Sequence, residues 1–489
     1  MTARQPLSPL PDAAQLERRI ARQWDEDIVG ELLQYVRIPA KSPHFDPRWR
    51  ENGHIEAAVA QARDWALRQP VAGLKVEVAR LEGRTPVILF DAPATHGASD
   101  ATVLLYGHLD KQPEMTGWRA GLGPWTPVIE EGRLYGRGGA DDGYAIFAAL
   151  SAIAALDAQG VPRPRCLGLV ETCEESGSYD LPAYLDALAP RMGRVGLVVA
   201  LDSGAGNYEQ LWVTTSLRGL VNGTLTVDVL TEGVHSGDAG GVVPSSFRVA
   251  RQLLDRLDDS RTGAVKPAQF ACAIPLERLA QAREAAAILG ETLWQRFPWA
   301  SCCGDPGTAR IFAQPVTRDP VELVLNRTWR AALAVTGAEG LPALESAGNV
   351  QRPRTALRLS MRLPPTVEAE SAARTMKATL EADPPHSAVV RFDYEAAASG
   401  WSAPAFAPWL SEALDGTSRA LFGKPAAFMG EGGTIPFMGM LGAKFPQAQI
   451  LVTGVLGPRS NAHGPNEFLD IAYARKVTVA TAMVIAALR

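Results

Sequence analysis

Three near-continuous apolar segments alternate with two helix-like segments between residues 102 and 201. The strand-like segments are 102–106, 164–170 and 195–201, and the helix-like segments are 143–158 and 179–188. Strands that are apolar on both sides belong to parallel sheets whose faces are covered by helices. This pattern therefore predicts an α/β fold with a mostly parallel sheet covered by helices.

Residues that can bind metals or transfer protons follow these three strands. His108 and Asp110 come after the first strand, Glu174 and Glu175 after the second, and Asp202 after the third. Ligand sites of such sheets lie beyond the carboxyl ends of the strands, so these side chains should share one edge. Residues two apart in an extended segment point to the same side, and this places the Asp110 carboxylate where it can orient the His108 imidazole.

The sequence pattern changes after residue 216. Alternating strand-like segments and two helix-like segments then follow in the order 219–230, 244–257, 356–363, 367–380 and 387–394. Such an order is typical of a small α+β domain with an antiparallel sheet. We therefore predict a larger domain formed by residues 1–216 and 397–489, with residues 217–396 inserted as a smaller domain.

Composition excludes several classes of partner. The chain has 489 residues, which exceeds one ordinary core and favours two domains. A net charge of −5 and the lack of a basic block argue against a nucleic-acid partner. We recognise neither a membrane-spanning apolar run nor a secretory signal, so a cytoplasmic location without a membrane partner is expected. The five cysteines form no CxxC pair, which argues against a thiolate zinc site.

Five residues are the candidate metal ligands: His108, Asp141, Glu175, Asp202 and His463. Two imidazoles and three carboxylates suit a pair of divalent ions such as zinc, cobalt or manganese. Three carboxylates and one hydroxide also balance the charge of two such ions. Asp141 is the best candidate for a bridging ligand, because glycines precede it and the helix after it directs backbone amides towards its carboxylate.

Glu174 is the candidate general base and acid. Two adjacent acids cannot easily share one role, so we assign Glu175 to the metal and Glu174 to proton transfer. Each of these motifs alone has an ordinary explanation. An Asp-Asp pair before a helix is usually a cap, a Glu-Glu pair is usually solvated, and Asp-Ser-Gly is usually a turn. The metal-centre hypothesis rests on their combination and order.

The ordered motifs resemble those of the M20 family of metallopeptidases, nearest to its carnosinase-like dipeptidases. They are GHLDKQPE, GRGGADDGYA, ETCEESGS, LDSG, VHSGDAGG, MRLPP, EGGTIP and SNAHGPNE. The resemblance implies a two-zinc catalytic domain with an inserted lid and dimerisation domain, and hence a homodimer formed through the lid. It also implies the same five ligands, with Asp110 orienting His108 and Glu174 acting as the base.

The resemblance also implies substrate-binding residues. His235 resembles a lid histidine that reaches the partner subunit's active site to stabilise an oxyanion. Arg362 resembles an arginine that binds the substrate carboxylate, and Asn349 and Thr434 match further contact positions. The chain departs from the family pattern at Gly143-Tyr144, at Asn349 where threonine is more usual, and near Gly400-Trp401, where a substrate-contacting histidine is not found. The insertion 270–314, which includes Cys302 and Cys303, is a further candidate determinant of specificity.

The sequence thus predicts a dinuclear metal-dependent hydrolase that cleaves the amide bond of dipeptides or similar small substrates with a free carboxylate. Glu174 would activate a water that bridges two metal ions, with zinc the first choice and manganese or cobalt as alternatives. Two alternatives remain open: an N-acyl amino acid deacylase on the same scaffold, and a non-catalytic binding protein that keeps the fold.

Overall fold

A computed structural model describes residues 11–301 and 312–488. The chain divides into two compact units. The first unit consists of Met1–Thr214, Ala403–Phe428 and Met440–Arg489, and the second of Thr215–Ser402 and Met429–Gly439. The domain limits predicted from the sequence, at 216/217 and 396/397, stay predictions. Cys302 and Cys303 of the insertion lie outside the described residues.

A six-stranded sheet forms the centre of the first unit. Its strands, in spatial order, are Lys75–Ala79, Val87–Ala92, Arg165–Glu171, Thr102–His108, Val195–Ala200 and Gln449–Val452. The last four strands are parallel, and the first two pair antiparallel at one edge. The predicted α/β class is therefore confirmed. Three further strands of this unit, Val128–Glu130, Arg133–Tyr135 and Phe468–Asp470, form a separate antiparallel sheet.

Helices surround the sheet of the first unit. They are Ala13–Gln23, Val29–Arg37, Trp49–Asn52, His54–Leu67, Ala145–Gln159, Leu181–Met192, Pro408–Phe422 and Ile471–Ala487. A π-helical turn, Trp24–Ile28, joins the first two. Side-chain caps define several starts: Asp12 accepts a hydrogen bond from Gln15 N at 3.1 Å, and Asp470 accepts one from Tyr473 N at 2.9 Å.

One described segment, Gly139–Gln159, has the length and apolar composition of a membrane span. Its apolar window is completely buried inside the protein. The helix Ala145–Gln159 within this segment packs against the helix Ile471–Ala487. Its apolar surface is therefore explained by its central position in the first unit.

The second unit has a four-stranded antiparallel sheet at its centre. Its strands, in spatial order, are Ala332–Glu339, Arg354–Leu363, Gly219–Asp228 and Val389–Ala398. The helices Ser246–Leu254 and Ala369–Glu381 pack on this sheet and share a buried apolar core with it, which includes Val249, Met361 and Met376. The insertion predicted from the sequence contains the helices Leu276–Leu289 and Thr292–Gln295, and the helix Pro320–Thr328 follows it.

Short elements complete the second unit. Val234–His235 pairs with Val350–Gln351, and the single helical turn Ser236–Ala239 follows the first of these strands. Three elements run across the limits of the units: the strands Trp212–Leu217 and Ala427–Glu431 and the helix Pro436–Lys444. Trp401–Ser402 pairs antiparallel with the end of the first of these strands.

Candidate metal centre

The five predicted metal ligands all belong to the first unit and lie close together. His108 is the last residue of its strand, and Asp202 follows the end of the strand Val195–Ala200. Glu175 lies in the 3-10 turn after the strand Arg165–Glu171, and Asp141 lies in the turn before the helix Ala145–Gln159. His463 comes from the loop between Gln449–Val452 and Phe468–Asp470. The carboxyl edge of the parallel strands thus brings together residues from five separate segments.

The ligand atoms form two groups that have Asp141 in common. His108, Asp141 and Asp202 form one group, and Asp141, Glu175 and His463 form the other, each with its ligand atoms within 4.8 Å of one another. His108 Nε2 lies 3.4 Å from Asp141 Oδ1, whereas His463 Nε2 lies 3.0 Å from Asp141 Oδ2. The two oxygens of one carboxylate therefore face two different imidazoles.

The distances within each group suit a shared cation. His108 Nε2 lies 3.9 Å from Asp202 Oδ2, and His463 Nε2 lies 3.3 Å from Glu175 Oε2. The His108 ring nitrogen Nε2 is buried and has no hydrogen-bond partner among the described residues. Its other nitrogen, Nδ1, lies 3.0 Å from the carbonyl oxygen of Asp110 and donates to it in the tautomer that leaves Nε2 free. An unprotonated nitrogen facing two carboxylates fits a divalent cation between them.

Electrostatics also favour cations at this position. Burial and the Asp141 carboxylate raise the pKa of Glu175 to about 8. Burial raises the pKa of Asp202 to about 7, and the Asp141 charge acts in the same direction. These shifts reflect the cost of holding several carboxylates together away from water. Bound divalent ions would offset that repulsion and keep the carboxylates ionised.

Asp110 has two functions at the edge of the centre. The contact to His108 Nδ1 comes from the Asp110 backbone carbonyl, while the carboxylate oxygen Oδ1 lies farther from that nitrogen, at 3.6 Å. The carboxylate accepts hydrogen bonds from Glu174 N at 3.1 Å and Glu175 N at 3.0 Å. Asp110 therefore holds the turn that carries the candidate base and one candidate ligand.

Glu174 lies beside the ligands and is half-buried. Burial and the neighbouring Asp202 charge raise the pKa of Glu174 well above its usual range. A raised pKa makes a carboxylate a better proton acceptor. The neighbouring side chain, Glu175, has a hydrogen-bond partner: its Oε2 atom accepts from Gln112 Nε2 at 2.6 Å.

Close packing explains the departure from the family pattern at Gly143-Tyr144. A Cβ atom on Gly143 would lie 2.1 Å from a ring carbon of Tyr35, so only glycine fits there. Tyr144 is fully buried, and its hydroxyl donates a hydrogen bond of 2.5 Å to the carbonyl of Leu201. This bond connects the segment that carries Asp141 to the residue before Asp202.

Arg137 and Glu467 are two buried residues near the centre, and neither is among the site residues predicted from the sequence. Glu467 accepts a hydrogen bond from Gly138 N at 2.8 Å, and Arg137 donates one of 2.9 Å to the carbonyl of Gly464. Both lie inside motifs that had been recognised, GRGGADDGYA and SNAHGPNE. In the sequence, their opposite charges are the only indication that the two residues pair, because a charged residue is rarely fully buried without a partner.

The predicted substrate-binding residues all lie in the second unit and form two pairs. Arg362 Nη1 donates a hydrogen bond of 3.1 Å to Thr434 Oγ1. His235 and Asn349 are both exposed and lie next to the paired strands Val234–His235 and Val350–Gln351, where the Asn349 carbonyl accepts a hydrogen bond from Ser236 N at 2.9 Å. The two pairs share no hydrogen bond within the described part of the chain.

Comparison with known proteins gives a family match over most of the chain. The sequence model of peptidase family M20/M25/M40 matches residues 104–488. Cysteinylglycine-S-conjugate dipeptidase of Corynebacterium striatum is 26% identical over 387 residues, which cover 78% of this chain and 80% of that protein. Human Beta-Ala-His dipeptidase is 28% identical over 278 residues, which cover 55% of this chain and 54% of that protein.

Solved structures share the fold along nearly the whole chain. Human carnosine dipeptidase 1 superposes with a TM-score of 0.74 at 20% identity, covering 98% of this chain and 99% of that one. The dipeptidase Dug1p from Saccharomyces cerevisiae gives a TM-score of 0.73 at 21% identity, with 98% of both chains covered. These similarities show a common fold.

Proposed function

The chain belongs to peptidase family M20/M25/M40, and from this premise we propose that it is a dipeptidase that uses two divalent metal ions. The resemblance to the M20 family is thereby confirmed, and the chain is a hydrolase of a metal-dependent peptidase family. Dipeptides are the proposed substrates because the relatives at 26% and 28% identity are named for dipeptide cleavage. The number and identity of the ions belong to the proposal, with zinc the first choice and manganese or cobalt as alternatives.

A single observation carries the two-ion proposal: Asp141 directs one carboxylate oxygen to each of two imidazoles. We assign His108, Asp141 and Asp202 to one ion and Asp141, Glu175 and His463 to the other. Bound divalent ions supply Lewis-acid polarisation of a carbonyl group and lower the pKa of water. The protein holds the metal-ligand atoms in place, because His108 is completely buried and Asp110 holds the turn that carries Glu175.

Glu174 is the proposed base and acid of the reaction. Its carboxylate takes the proton from the attacking water and later transfers it to the nitrogen of the leaving amine. The hydrogen bond from its own backbone amide to Asp110 holds the turn during both transfers. No further proton carrier is needed, because one carboxylate first accepts the proton and then returns it.

Arg362 and Thr434 are the proposed contacts of the substrate's free carboxylate. A guanidinium group binds a carboxylate through two parallel hydrogen bonds. Thr434 accepts a hydrogen bond from Arg362 and so holds this guanidinium in place. His235 is proposed to stabilise the oxyanion and Asn349 to contact the substrate near it. A homodimer formed through the second unit, with His235 serving the partner's active site, and a cytoplasmic location also belong to this proposal.

Metal analysis combined with a substrate screen tests the proposed function. Purified protein should contain about two divalent ions per chain, as two-metal hydrolases do. Chelation should abolish hydrolysis of dipeptides, and zinc, manganese or cobalt should restore it. Asp141→Asn should lose both ions, whereas Asp100→Asn, at an exposed loop position, should keep both.

The same screen separates the alternatives. Hydrolysis of N-acetyl amino acids in place of dipeptides with a free amine would favour a deacylase. Protein that binds metal but hydrolyses neither class would contradict the proposed function.

A further inference from the structure

Four arginines of the second unit form a cluster of interacting charges that includes one carboxylate. This arginine cluster comprises Arg218, Arg296, Arg327 and Arg362, and the carboxylate is that of Glu431. Arg327 Nη2 pairs with Glu431 Oε2, and a Cβ atom on Gly432 would lie 3.2 Å from Arg218 Nη2 and 3.3 Å from Arg327 Cγ. Gly432 therefore allows two arginine side chains to approach the same stretch of backbone.

The remaining arginines of the cluster contact neutral groups. Arg218 donates to the carbonyl oxygens of Gly432 at 3.1 Å, Asn326 at 3.3 Å and Arg330 at 3.4 Å. Arg362 donates to the Thr434 hydroxyl, and that hydroxyl donates to the carbonyl of Arg218 at 2.6 Å. The Thr434 hydroxyl thus connects Arg362 to the backbone of Arg218. Neither arginine has a carboxylate partner among the described residues.

Arg296 adds a further positive charge to the cluster. Its Nε atom is buried and has no hydrogen-bond partner within the described residues. Burial lowers the pKa of the Arg296 guanidinium to about 10, and the Arg327 charge acts in the same direction. Burial and the charges of Arg362 and Arg327 likewise lower the pKa of Arg218 to about 10. Arg218 therefore experiences the charges of Arg362 and Arg327, and Arg296 experiences that of Arg327.

Such an arrangement costs free energy unless anions are bound. Guanidinium groups that are removed from water and close to one another need a compensating negative charge. Glu431 balances one of the four, and the substrate carboxylate assigned to Arg362 balances another. Two charges remain, and the planar fork of arginine suits a second carboxylate.

We propose that the arginine cluster binds two anionic groups and selects dipeptides whose C-terminal residue is aspartate or glutamate. This inference rests on the proposed function, because it assigns the second anion to the side chain of the same substrate. The α-carboxylate contacts Arg362 and Thr434, and the side-chain carboxylate contacts the guanidinium groups of Arg218, Arg296 and Arg327.

Isosteric substrates test the inference directly. Ala-Glu and Ala-Gln differ in side-chain charge and hardly in shape, so the ratio of their kcat/KM values measures recognition of the second carboxylate. The native enzyme should prefer Ala-Glu by about 10- to 100-fold, the range expected for one or two charged hydrogen bonds. Most of the preference should appear in KM, because the contact lies away from the reacting atoms.

Variants of the cluster should reduce that ratio. Arg327→Gln and Arg296→Gln should each lower the preference for Ala-Glu by about tenfold. If loss of the Glu431 partner unfolds Arg327→Gln, Arg296→Gln tests the inference instead, because Arg296 Nε has no hydrogen-bond partner among the described residues. Arg358→Gln is the matched control, because Arg358 lies four residues before Arg362 on the same strand and pairs with Glu395. It should keep the ratio of the native enzyme.

A binding measurement separates failure of the inference from failure of the proposed function. L-Glutamate should raise the melting temperature of the metal-loaded enzyme more than L-glutamine, and Arg296→Gln should remove the difference. Equal kcat/KM values for Ala-Glu and Ala-Gln would overturn the inference and leave the dipeptidase intact. If no dipeptide is hydrolysed, the proposed function fails, and equal binding of the two amino acids would then overturn the inference as well.

Discussion

Arg137 and Glu467 form a buried ion pair, with 2.5 Å between Arg137 Nη1 and Glu467 Oε2. The pair lies between two segments that are 330 residues apart, and each segment carries one ligand of the same candidate metal group. Glu467 also accepts from the amide of Gly138, three residues before Asp141, and Arg137 donates to the carbonyl of Gly464, the residue after His463. The ion pair therefore fixes the distance between Asp141 and His463.

Glu467→Gln should destabilise the protein and weaken metal retention. The substitution leaves the Arg137 charge buried without its partner, which should lower the free energy of unfolding by about 3–5 kcal/mol. Urea denaturation measures this loss, and metal content after dialysis measures retention at the centre. Glu209→Gln is the control, because Glu209 pairs with Lys424 at the surface and such pairs contribute about 1 kcal/mol or less. A Glu467→Gln variant as stable as the control would contradict the structural role of the pair.

Glu174→Gln and Glu175→Gln should separate proton transfer from metal binding. The two residues are neighbours in one turn, and Asp110 accepts a hydrogen bond from the backbone amide of each. Glu174→Gln should keep the metal content of the native enzyme and lower kcat by about 10²- to 10⁴-fold, the usual effect of losing a general base. Glu175→Gln should lose metal as well as activity. Substantial turnover by Glu174→Gln would show that another group is the base.

His235→Ala should lower turnover by about 10²- to 10³-fold, as loss of an oxyanion donor does. His235 is exposed, and its Nδ1 accepts a hydrogen bond of 3.2 Å from Gly237 N, so Nε2 carries the proton that can be donated. Steady-state kinetics with a dipeptide measures the effect. His96→Ala, at another exposed histidine, should have native turnover. Near-native kcat for His235→Ala would exclude it from the mechanism.

Glu171 should make the stability of the protein depend on pH. This residue is buried, and its carboxylate accepts a hydrogen bond of 2.6 Å from Tyr106. Burial raises the pKa of Glu171 to about 7. Between its ordinary pKa of about 4.3 and this value, the native state holds a proton that the unfolded chain has released. The free energy of unfolding should therefore fall by about 3 kcal/mol as the pH rises from 4.5 to 7.

Glu171→Gln should remove this contribution, because glutamine does not titrate. The variant should gain stability relative to the native protein as the pH rises from 4.5 to 7, and the difference should then stay constant. Urea denaturation at several pH values measures it. Glu82→Gln, at an exposed position, should follow the pH dependence of the native protein. Parallel curves for Glu171→Gln and the native protein would show that folding does not raise the pKa of Glu171.

Much of the candidate centre could be predicted because its residues follow directly from local patterns. His108 ends a buried strand, whereas the Glu174-Glu175 pair and Asp202 each follow one, and the carboxyl ends of parallel strands meet at one edge. Apolar runs were enough to place these strands, and helical periodicity was enough to place the helices between them. The function of the Asp110 carboxylate could not be predicted in this way, because its partners are backbone amides of a turn 64 and 65 residues away.

The sequence alone determined the α/β class, the candidate ligands and the candidate base, because each depends on residue type and on the element that precedes it. Only the tertiary structure decided which oxygen of Asp141 faces each histidine, that Arg137 pairs with Glu467, and that Arg327 pairs with Glu431. Such contacts join segments that are tens to hundreds of residues apart. Their energy comes from burial and from the removal of water between charges, and these arise only when the chain packs.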